Sequence, residues 1–154
     1  MQVMNSDLGV GLLGMGVVGT AVASALTSRM EEFTNYTGSN LHLTNVLVRD
    51  LGRRRDVKLP KHALTDNVDD VLENPDVKIV VEVMGGLDPA GAYIRRALAA
   101  GKHVVTANKE LIAKEGPELF EIARSNGSSL YFEASVAGAI PAIRPQLRDL
   151  RANR

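Results

Sequence analysis

The sequence predicts an α/β protein with a doubly wound, mostly parallel sheet, and three observations support this. An apolar run at residues 8–13 enters a glycine-rich segment at residues 14–19, which a helical pattern of small residues follows. Strand-like and helical patterns then alternate, which is the order that gives parallel strands joined by right-handed crossovers. A mostly apolar run at residues 77–83 is typical of a strand buried on both faces.

The glycine-rich segment has the spacing G-x-G-x-x-G, with Gly14, Gly16 and Gly19 as its glycines. Between a strand and a helix, the first glycine permits the turn, the second lets a pyrophosphate approach the backbone, and the third lets the helix pack closely. The amides of Gly16, Val17 and Val18 would point at the phosphates, aided by the helix dipole. We therefore predict a Rossmann-type dinucleotide-binding domain; the alternative is a glycine-rich turn without a ligand.

The composition argues against several other classes. The 154 residues have zero formal net charge and only 4% aromatic side chains, so neither a global field nor base stacking favours a nucleic-acid partner. No apolar run approaches the length of a membrane span, and the N-terminus lacks the pattern of a signal peptide. The absence of cysteine fits a reducing cytosol. We expect a cytoplasmic protein with no membrane or nucleic-acid partner.

The remaining elements follow from periodicity and turn residues. A first helix over residues 17–32 and a surface loop over residues 34–40 precede a second strand over residues 41–48. After them we predict, in order, a short helix capped by Asp66, the strand at 77–83, a helix at 89–100, a strand at 103–106, separate helical segments at 111–113 and 117–125, and a last strand at 129–132.

The end of the second strand is where such a fold contacts the adenosine ribose of its cofactor. An acidic residue there favours NAD, whereas an arginine favours the 2′-phosphate of NADP. This chain has Arg49 beside Asp50, followed by three arginines at residues 53–55. We place Arg49 near the phosphate, which favours NADP, while Asp50 leaves NAD open. The arginines at 53–55 fit a solvated loop equally well.

Two further strand ends carry candidate cofactor contacts, and they are expected at the same sheet edge as the glycine-rich segment. The candidates are Gly85, Thr106, Asn108 and Lys109. Lys109 could orient a substrate carbonyl or carboxylate, or lie beside the nicotinamide. The alternative is a lysine at a helix start that pairs with a neighbouring carboxylate, Glu110 or Glu82, although a cation there opposes the helix dipole.

Glu133 follows the last apolar strand. From its chemistry alone, it could cap a turn, or it could join backbone carbonyls in holding a hard cation. Capping is the simpler interpretation.

Four segments of the chain resemble homoserine dehydrogenase, in order and in spacing. They are residues 11–19, 81–86, 104–109 and 132–141, and the resemblance extends over essentially the whole chain. The first segment is generic, but T-A-N-K at residues 106–109 and E-A-S-V-A-G-A-I-P at residues 133–141 are specific to that family. The E-A-S-V segment argues against other small-molecule dehydrogenases of similar fold.

The resemblance implies a nicotinamide-dependent interconversion of L-homoserine and L-aspartate 4-semialdehyde, in threonine and methionine biosynthesis. It implies that the backbone of Val17 and Val18 meets the pyrophosphate of NADP or NAD. Arg49 would approach the adenosine phosphate, and Lys109 would lie near the nicotinamide and the substrate. It also implies a monovalent cation such as sodium, held by the Glu133 side chain and by the carbonyls of Val136, Gly138 and Ile140.

The resemblance further predicts the domain organisation. Residues 1–141 would form the dinucleotide-binding domain, and residues 142–154 would begin the connection to a substrate and dimerisation domain that this chain lacks. We expect no catalytic residue in this chain, cofactor binding without turnover, and a homo-oligomer for the complete enzyme. A stand-alone nucleotide-sensing or interaction module of the same fold is the alternative, but such a module would not need Lys109 or the Glu133 segment.

Overall fold

The structure, a computed structural model, describes residues 7–132, in which strands and helices alternate. The strands are β1 (Asp7–Leu13), β2 (Asn40–Leu47), β3 (Leu64–Thr65), β4 (Val77–Glu82), β5 (His103–Thr106) and β6 (Leu130–Tyr131). The helices are α1 (Val17–Ser28), α2 (Met30–Thr37), α3 (Asp69–Leu72), α4 (Ala90–Ala99) and α5 (Lys109–Ser125). The described residues form two compact units, which divide between Met84 and Gly85.

The first unit contains four parallel strands in the order β3-β2-β1-β4. Strand β1 is central, and its Leu12 lies opposite Val46 of β2 and Val81 of β4. Because the strands are parallel and β1 has a neighbour on each side, its carboxyl end opens between two other strand ends. That position is where an open α/β sheet binds its ligands.

Helices cover both faces of this sheet. On one face Val10 and Leu12 of β1 form a core with Ala23 of α1. Between them lies Gly11. A Cβ atom added to Gly11 would project from the opposite face and collide with Val71 of α3. Alternate residues of one strand therefore contact helices on opposite faces, so the sheet is doubly wound as predicted.

The second unit consists of the parallel pair β5–β6 and the two helices α4 and α5. Each helix buries an apolar stripe, with Ile94 and Leu98 on α4 and Leu111 and Leu119 on α5, all with zero exposure. The spacing of these pairs is that of one helix face. Burial of these apolar side chains stabilises the unit.

The two helices of this unit are also joined by an ion-pair cluster. Arg95 of α4 donates to Glu115 at 2.7 Å and to Glu118 at 2.9 Å, both on α5. The hydrogen bond to Glu118, together with the charges of both carboxylates, raises the pKa of Arg95 above its ordinary value.

The predicted first helix is wrong at its end. Helix α1 stops at Ser28, Arg29 leaves the helical conformation with φ −122° and ψ 27°, and α2 occupies much of the predicted loop. Just before the break, Thr27 and Ser28 donate their hydroxyls to the backbone carbonyls of residues 23 and 24, a local competition that bends helices. Helix α2 then ends at Gly38, whose φ of +71° forms a left-handed cap.

One prediction about the shorter elements needs correction, and one short strand was missed. Asp66 does not cap α3; the Asp69 N–H is instead bound at 3.1 Å by the side-chain oxygen of Asn67. Strand β3, only two residues long, was not predicted, because so short a pair has no periodicity.

Helix α5 is continuous through Pro117, where two separate segments were predicted. Proline removes one backbone hydrogen bond, that of its own missing N–H. The buried stripe continues on both sides of it, with Leu111 before and Leu119 after, so packing of the helix outweighs the local cost.

Candidate functional site

The glycine turn, residues 14–19, follows β1 and leads directly into α1. Gly14 has φ +97°, a conformation that favours glycine, and a Cβ atom there would come within 3.0 Å of the Met84 side chain. Its N–H donates to the Leu47 carbonyl of β2 at 3.1 Å. The turn is therefore tied to the carboxyl end of the neighbouring strand.

The other two glycines differ in what surrounds them. A Cβ atom at Gly19 would fall far inside contact distance of the Gly14 carbonyl oxygen, which is backbone and cannot yield cheaply. At Gly16 a Cβ atom would meet no atom of residues 7–132 within 4 Å. The fold thus requires glycine at 14 and 19, whereas at 16 the described part of the chain leaves open space.

The start of α1 presents free backbone donors. The first bond that closes onto the turn is from the Thr20 N–H to the Gly16 carbonyl at 2.9 Å, so helix geometry leaves the amides of Val17 and Val18 without intrahelical partners. No acidic residue lies in the first turn to offset the positive end of the dipole. Val17 is 91% exposed and Val18 is 53% exposed. This helix start can accept an anion at its backbone, beside exposed apolar side chains.

Arg49 lies two residues beyond β2, on the same side as the glycine turn, since Leu47 at the end of that strand bonds to Gly14. The Arg49 side chain is exposed. Neighbouring Asp50 uses a carboxylate oxygen to accept the Gly52 N–H at 2.8 Å. The structure therefore brings the glycine turn and Arg49 to one edge of the first unit.

In the second unit, a second turn is formed by two segments, residues 85–86 and residues 106–109. Gly85 and Gly86 both have left-handed conformations, with φ of +75° and +74°. Asn108 joins the segments, since its side-chain amide donates to the Gly86 carbonyl at 2.6 Å. The unit thus brings the four predicted residues Gly85, Thr106, Asn108 and Lys109 into one turn.

The polar side chains of this second turn are engaged by the protein itself. Asn108 is 6% exposed, and its side-chain oxygen caps α5 by accepting the Leu111 N–H at 3.2 Å. Thr106 has zero exposure, and its hydroxyl accepts the Asn108 N–H at 3.0 Å. Both side chains hold the turn in shape.

Lys109 is the first residue of α5, and its side chain is exposed. The alternative pairing of Lys109 with Glu110 is not observed. Glu110 instead binds Lys114 at 2.9 Å. Within residues 7–132, Lys109 has no ion-pair partner. Among these residues nothing neutralises this cation at a helix start, where the dipole already opposes positive charge.

One structural residue of the first unit was not recognised from the sequence. Glu82 ends β4 with zero exposure, and its carboxylate accepts the Met84 N–H at 2.7 Å. That bond fixes Met84, the residue against which Gly14 packs. The signal in the sequence was a single carboxylate closing an otherwise mostly apolar strand, a position where a charge needs a specific partner.

The predicted cation site cannot be compared with the structure, because Glu133, Val136, Gly138 and Ile140 lie outside the described residues. Within residues 7–132, no cluster of three or more histidine, aspartate or glutamate side chains is arranged to hold a metal ion. The same residues contain no helix with the length and apolar character needed to cross a bilayer.

Comparison with known proteins gives a consistent result. The family model for the homoserine dehydrogenase NAD-binding domain matches residues 14–133. The homoserine dehydrogenase of Bacillus subtilis is 45% identical over 145 residues, which are 94% of this chain and 34% of that protein. The enzyme of Synechocystis is 41% identical and covers 94% of this chain and 33% of its own length.

A solved structure agrees with these sequence relatives. The homoserine dehydrogenase of Thiobacillus denitrificans is 43% identical with a TM-score of 0.88, covering 97% of this chain and 34% of its own. This likeness confirms the predicted Rossmann-type fold, and the family model confirms a nicotinamide dinucleotide as the cofactor. The chain spans about one third of its relatives' length. It belongs to the family of homoserine dehydrogenase NAD-binding domains.

Proposed function

We propose that this chain is the cofactor-binding part of a homoserine dehydrogenase and that the glycine turn holds the pyrophosphate of NADP or NAD. The observation that carries the proposal is the open space at Gly16 beside free amides of α1. A phosphate placed there would meet the amides of Gly16, Val17 and Val18 and the positive end of the dipole. The exposed Val17 would then lie against the bound molecule.

The family's cofactor fits the residues present. An anion needs donors, and the start of α1 supplies them without a competing acidic side chain in its first turn. Arg49 would approach the adenosine phosphate from the end of β2. We propose a preference for NADP, since the exposed Arg49 guanidinium is available, whereas the Asp50 carboxylate already binds the Gly52 N–H.

Within the second unit, the family resemblance implies further cofactor contacts at the second turn. Gly85 exposes backbone there, while Thr106 and Asn108 act through the turn that they hold, with their side chains satisfied internally. Lys109 carries the unneutralised charge, so we propose that it orients a substrate carbonyl or carboxylate. The proposed monovalent cation site at Glu133, Val136, Gly138 and Ile140 rests on the family resemblance alone.

In the complete enzyme, the reaction would interconvert L-homoserine and L-aspartate 4-semialdehyde, within threonine and methionine biosynthesis. The nicotinamide supplies the hydride acceptor or donor when bound. The relatives are about three times as long as this chain, since it covers 34% of the first of them. We propose that residues 1–141 form the cofactor domain and residues 142–154 begin a connection to the substrate and dimerisation domain. A cytoplasmic location and a homo-oligomeric state of the complete enzyme remain predictions.

Binding is tested by calorimetric titration of the 154-residue chain with NADP and with NAD, at one fixed ionic strength because exposed charges are screened. We expect tighter binding of NADP. Arg49→Ala should weaken NADP binding about tenfold, equivalent to about 1.4 kcal/mol, and leave NAD binding nearly unchanged. The matched control is Arg29→Ala, which removes the same charge from an exposed surface pair with Glu32. Tighter binding of NAD would instead favour Asp50 as the ribose contact.

Activity provides a second test. Hydride transfer requires the substrate to be held at near-attack distance, and we expect the remaining part of the enzyme to be needed for that. The chain alone should therefore bind cofactor and show no homoserine oxidation above background. Measurable turnover would contradict the assignment of catalysis to the rest of the enzyme. If neither NADP nor NAD binds at millimolar concentration, the interaction-module alternative would be favoured.

A further inference from the structure

The loop after β2, residues 49–55, is held in shape by its own side chains. Asp50 accepts the Gly52 N–H at 2.8 Å through one carboxylate oxygen, which closes a tight turn. One oxygen of the carboxylate at the position that would contact ribose hydroxyls in an NAD-specific site is thus already bound within its own loop.

Arg55 closes the same loop from its other end. One terminal nitrogen of its guanidinium donates to the Asp50 carbonyl at 2.7 Å, and the other donates to the Arg53 carbonyl, also at 2.7 Å. The planar guanidinium suits this task because its donors form a rigid fork that can bind two acceptors together. Arg55 is partly buried, and its Nε atom is buried without a partner in the described structure.

The three other arginines of the loop, at residues 49, 53 and 54, have exposed side chains. Their side chains form no hydrogen bond or ion pair within the described part of the chain. The loop therefore contains two kinds of charged residue. Asp50 and Arg55 bind the loop's own backbone, and the exposed arginines are free to meet an anion.

We propose that Asp50 and Arg55 are positioning residues, which hold the loop so that its exposed arginines face the phosphate-bearing end of the adenosine moiety. Asp50 accordingly acts as a turn cap and does not contact the ribose. The inference rests on the proposed function, since it takes the glycine turn as the dinucleotide site. It goes further by assigning cofactor preference to the loop's internal hydrogen bonds as well as to the phosphate contact.

The decisive comparison is between Asp50→Asn and Asp50→Ala in the 154-residue chain. Asparagine keeps an oxygen that can accept the Gly52 N–H, whereas alanine does not. We expect Asp50→Asn to keep NADP and NAD affinities within about threefold of the wild type, and Asp50→Ala to weaken NADP binding about fivefold. By NMR, the Gly52 amide should exchange faster in Asp50→Ala and remain protected in Asp50→Asn. This readout does not depend on the cofactor.

Arg55→Lys tests the second positioning residue, because lysine keeps the charge but loses the fork that binds two carbonyls. Arg55→Lys and Arg55→Ala should weaken NADP binding to a similar extent. If lysine preserves NADP affinity while alanine lowers it, Arg55 acts by its charge on the phosphate, and its positioning role is overturned. If Asp50→Asn weakens NAD binding as much as Asp50→Ala while Gly52 stays protected, Asp50 contacts the ribose. If the wild type binds neither dinucleotide, the proposed function itself fails.

Discussion

The glycine turn and the second turn satisfy their backbones in opposite ways. In the glycine turn, the amides of Val17 and Val18 have no partner from the helix, and a Cβ atom at Gly16 would enter open space. In the second turn, the Asn108 side chain binds both the Gly86 carbonyl and the Leu111 N–H. The glycine turn has amide donors without a partner in the helix, whereas the second turn uses a buried side chain to bind its own backbone.

This difference separates two roles that sequence motifs do not distinguish. Unsatisfied donors at a helix start are tolerated where a ligand or water completes them, so the glycine turn is suited to contact the cofactor directly. A buried asparagine that binds backbone groups on both sides instead fixes the position of its neighbours. We therefore expect substitutions in the second turn to lower the free energy of unfolding more than they weaken binding. In the glycine turn, the glycine that is replaced should decide whether stability or dinucleotide binding is affected.

Gly19→Ala should have the largest effect on stability. The added methyl group would overlap the Gly14 carbonyl oxygen, so α1 must shift away from β1, at a cost of about 3 kcal/mol. Urea denaturation followed by circular dichroism measures this loss. The matched control is Gly16→Ala, where open space predicts stability within about 0.5 kcal/mol of the wild type. Equal destabilisation of the two variants would contradict the division between packing and binding glycines.

Asn108→Ala should have the next largest effect. It removes the cap of α5 and leaves the Gly86 carbonyl without its donor, for a loss of about 2 kcal/mol in unfolding free energy. Asn108→Ser can still cap the helix but is too short to reach Gly86, so it should lose about half as much. Thermal unfolding of both variants ranks them. A neutral Asn108→Ala variant would mean that the second turn is not held by this side chain.

Gly85→Ala should cost less stability than Gly19→Ala or Asn108→Ala. Its φ of +75° costs an alanine about 1 kcal/mol, while no atom lies within 4 Å of the added Cβ. Gly127→Ala is a matched control, since that glycine has φ +65° and equally open surroundings. Both variants should lose similar stability, but only Gly85→Ala should weaken dinucleotide binding. Equal affinities in the two variants would remove Gly85 from the proposed site.

Local sequence was sufficient where one residue dominates the conformation. Gly14 and Gly19 predicted the turn, and α1 begins at Val17 as expected. Prediction failed where tertiary packing outweighed a local signal, as at Pro117, or where hydroxyl groups interrupted a periodic pattern, as at Thr27 and Ser28. Neither outcome can be read from spacing alone, because each depends on energies that arise only in the folded chain.

The site residues show the same limit. Motif spacing predicted Thr106 and Asn108 as cofactor contacts, but it could not reveal that their side chains bind the backbone of the turn. Nor could it reveal that Asp50 and Arg55 bind within their own loop. Which polar groups remain available to a ligand is a property of the folded geometry, so motif spacing alone does not give it.

The most direct test of the central claim is an NMR titration of the 154-residue chain with NADP, following the backbone amides. We expect the largest shifts on Gly16, Val17 and Val18, with a second group around Arg49. We also expect Gly16→Ala, although folded, to lose the first group of shifts. Shifts confined to other surfaces, or an unchanged spectrum at millimolar NADP, would contradict the assignment of the glycine turn as the dinucleotide site.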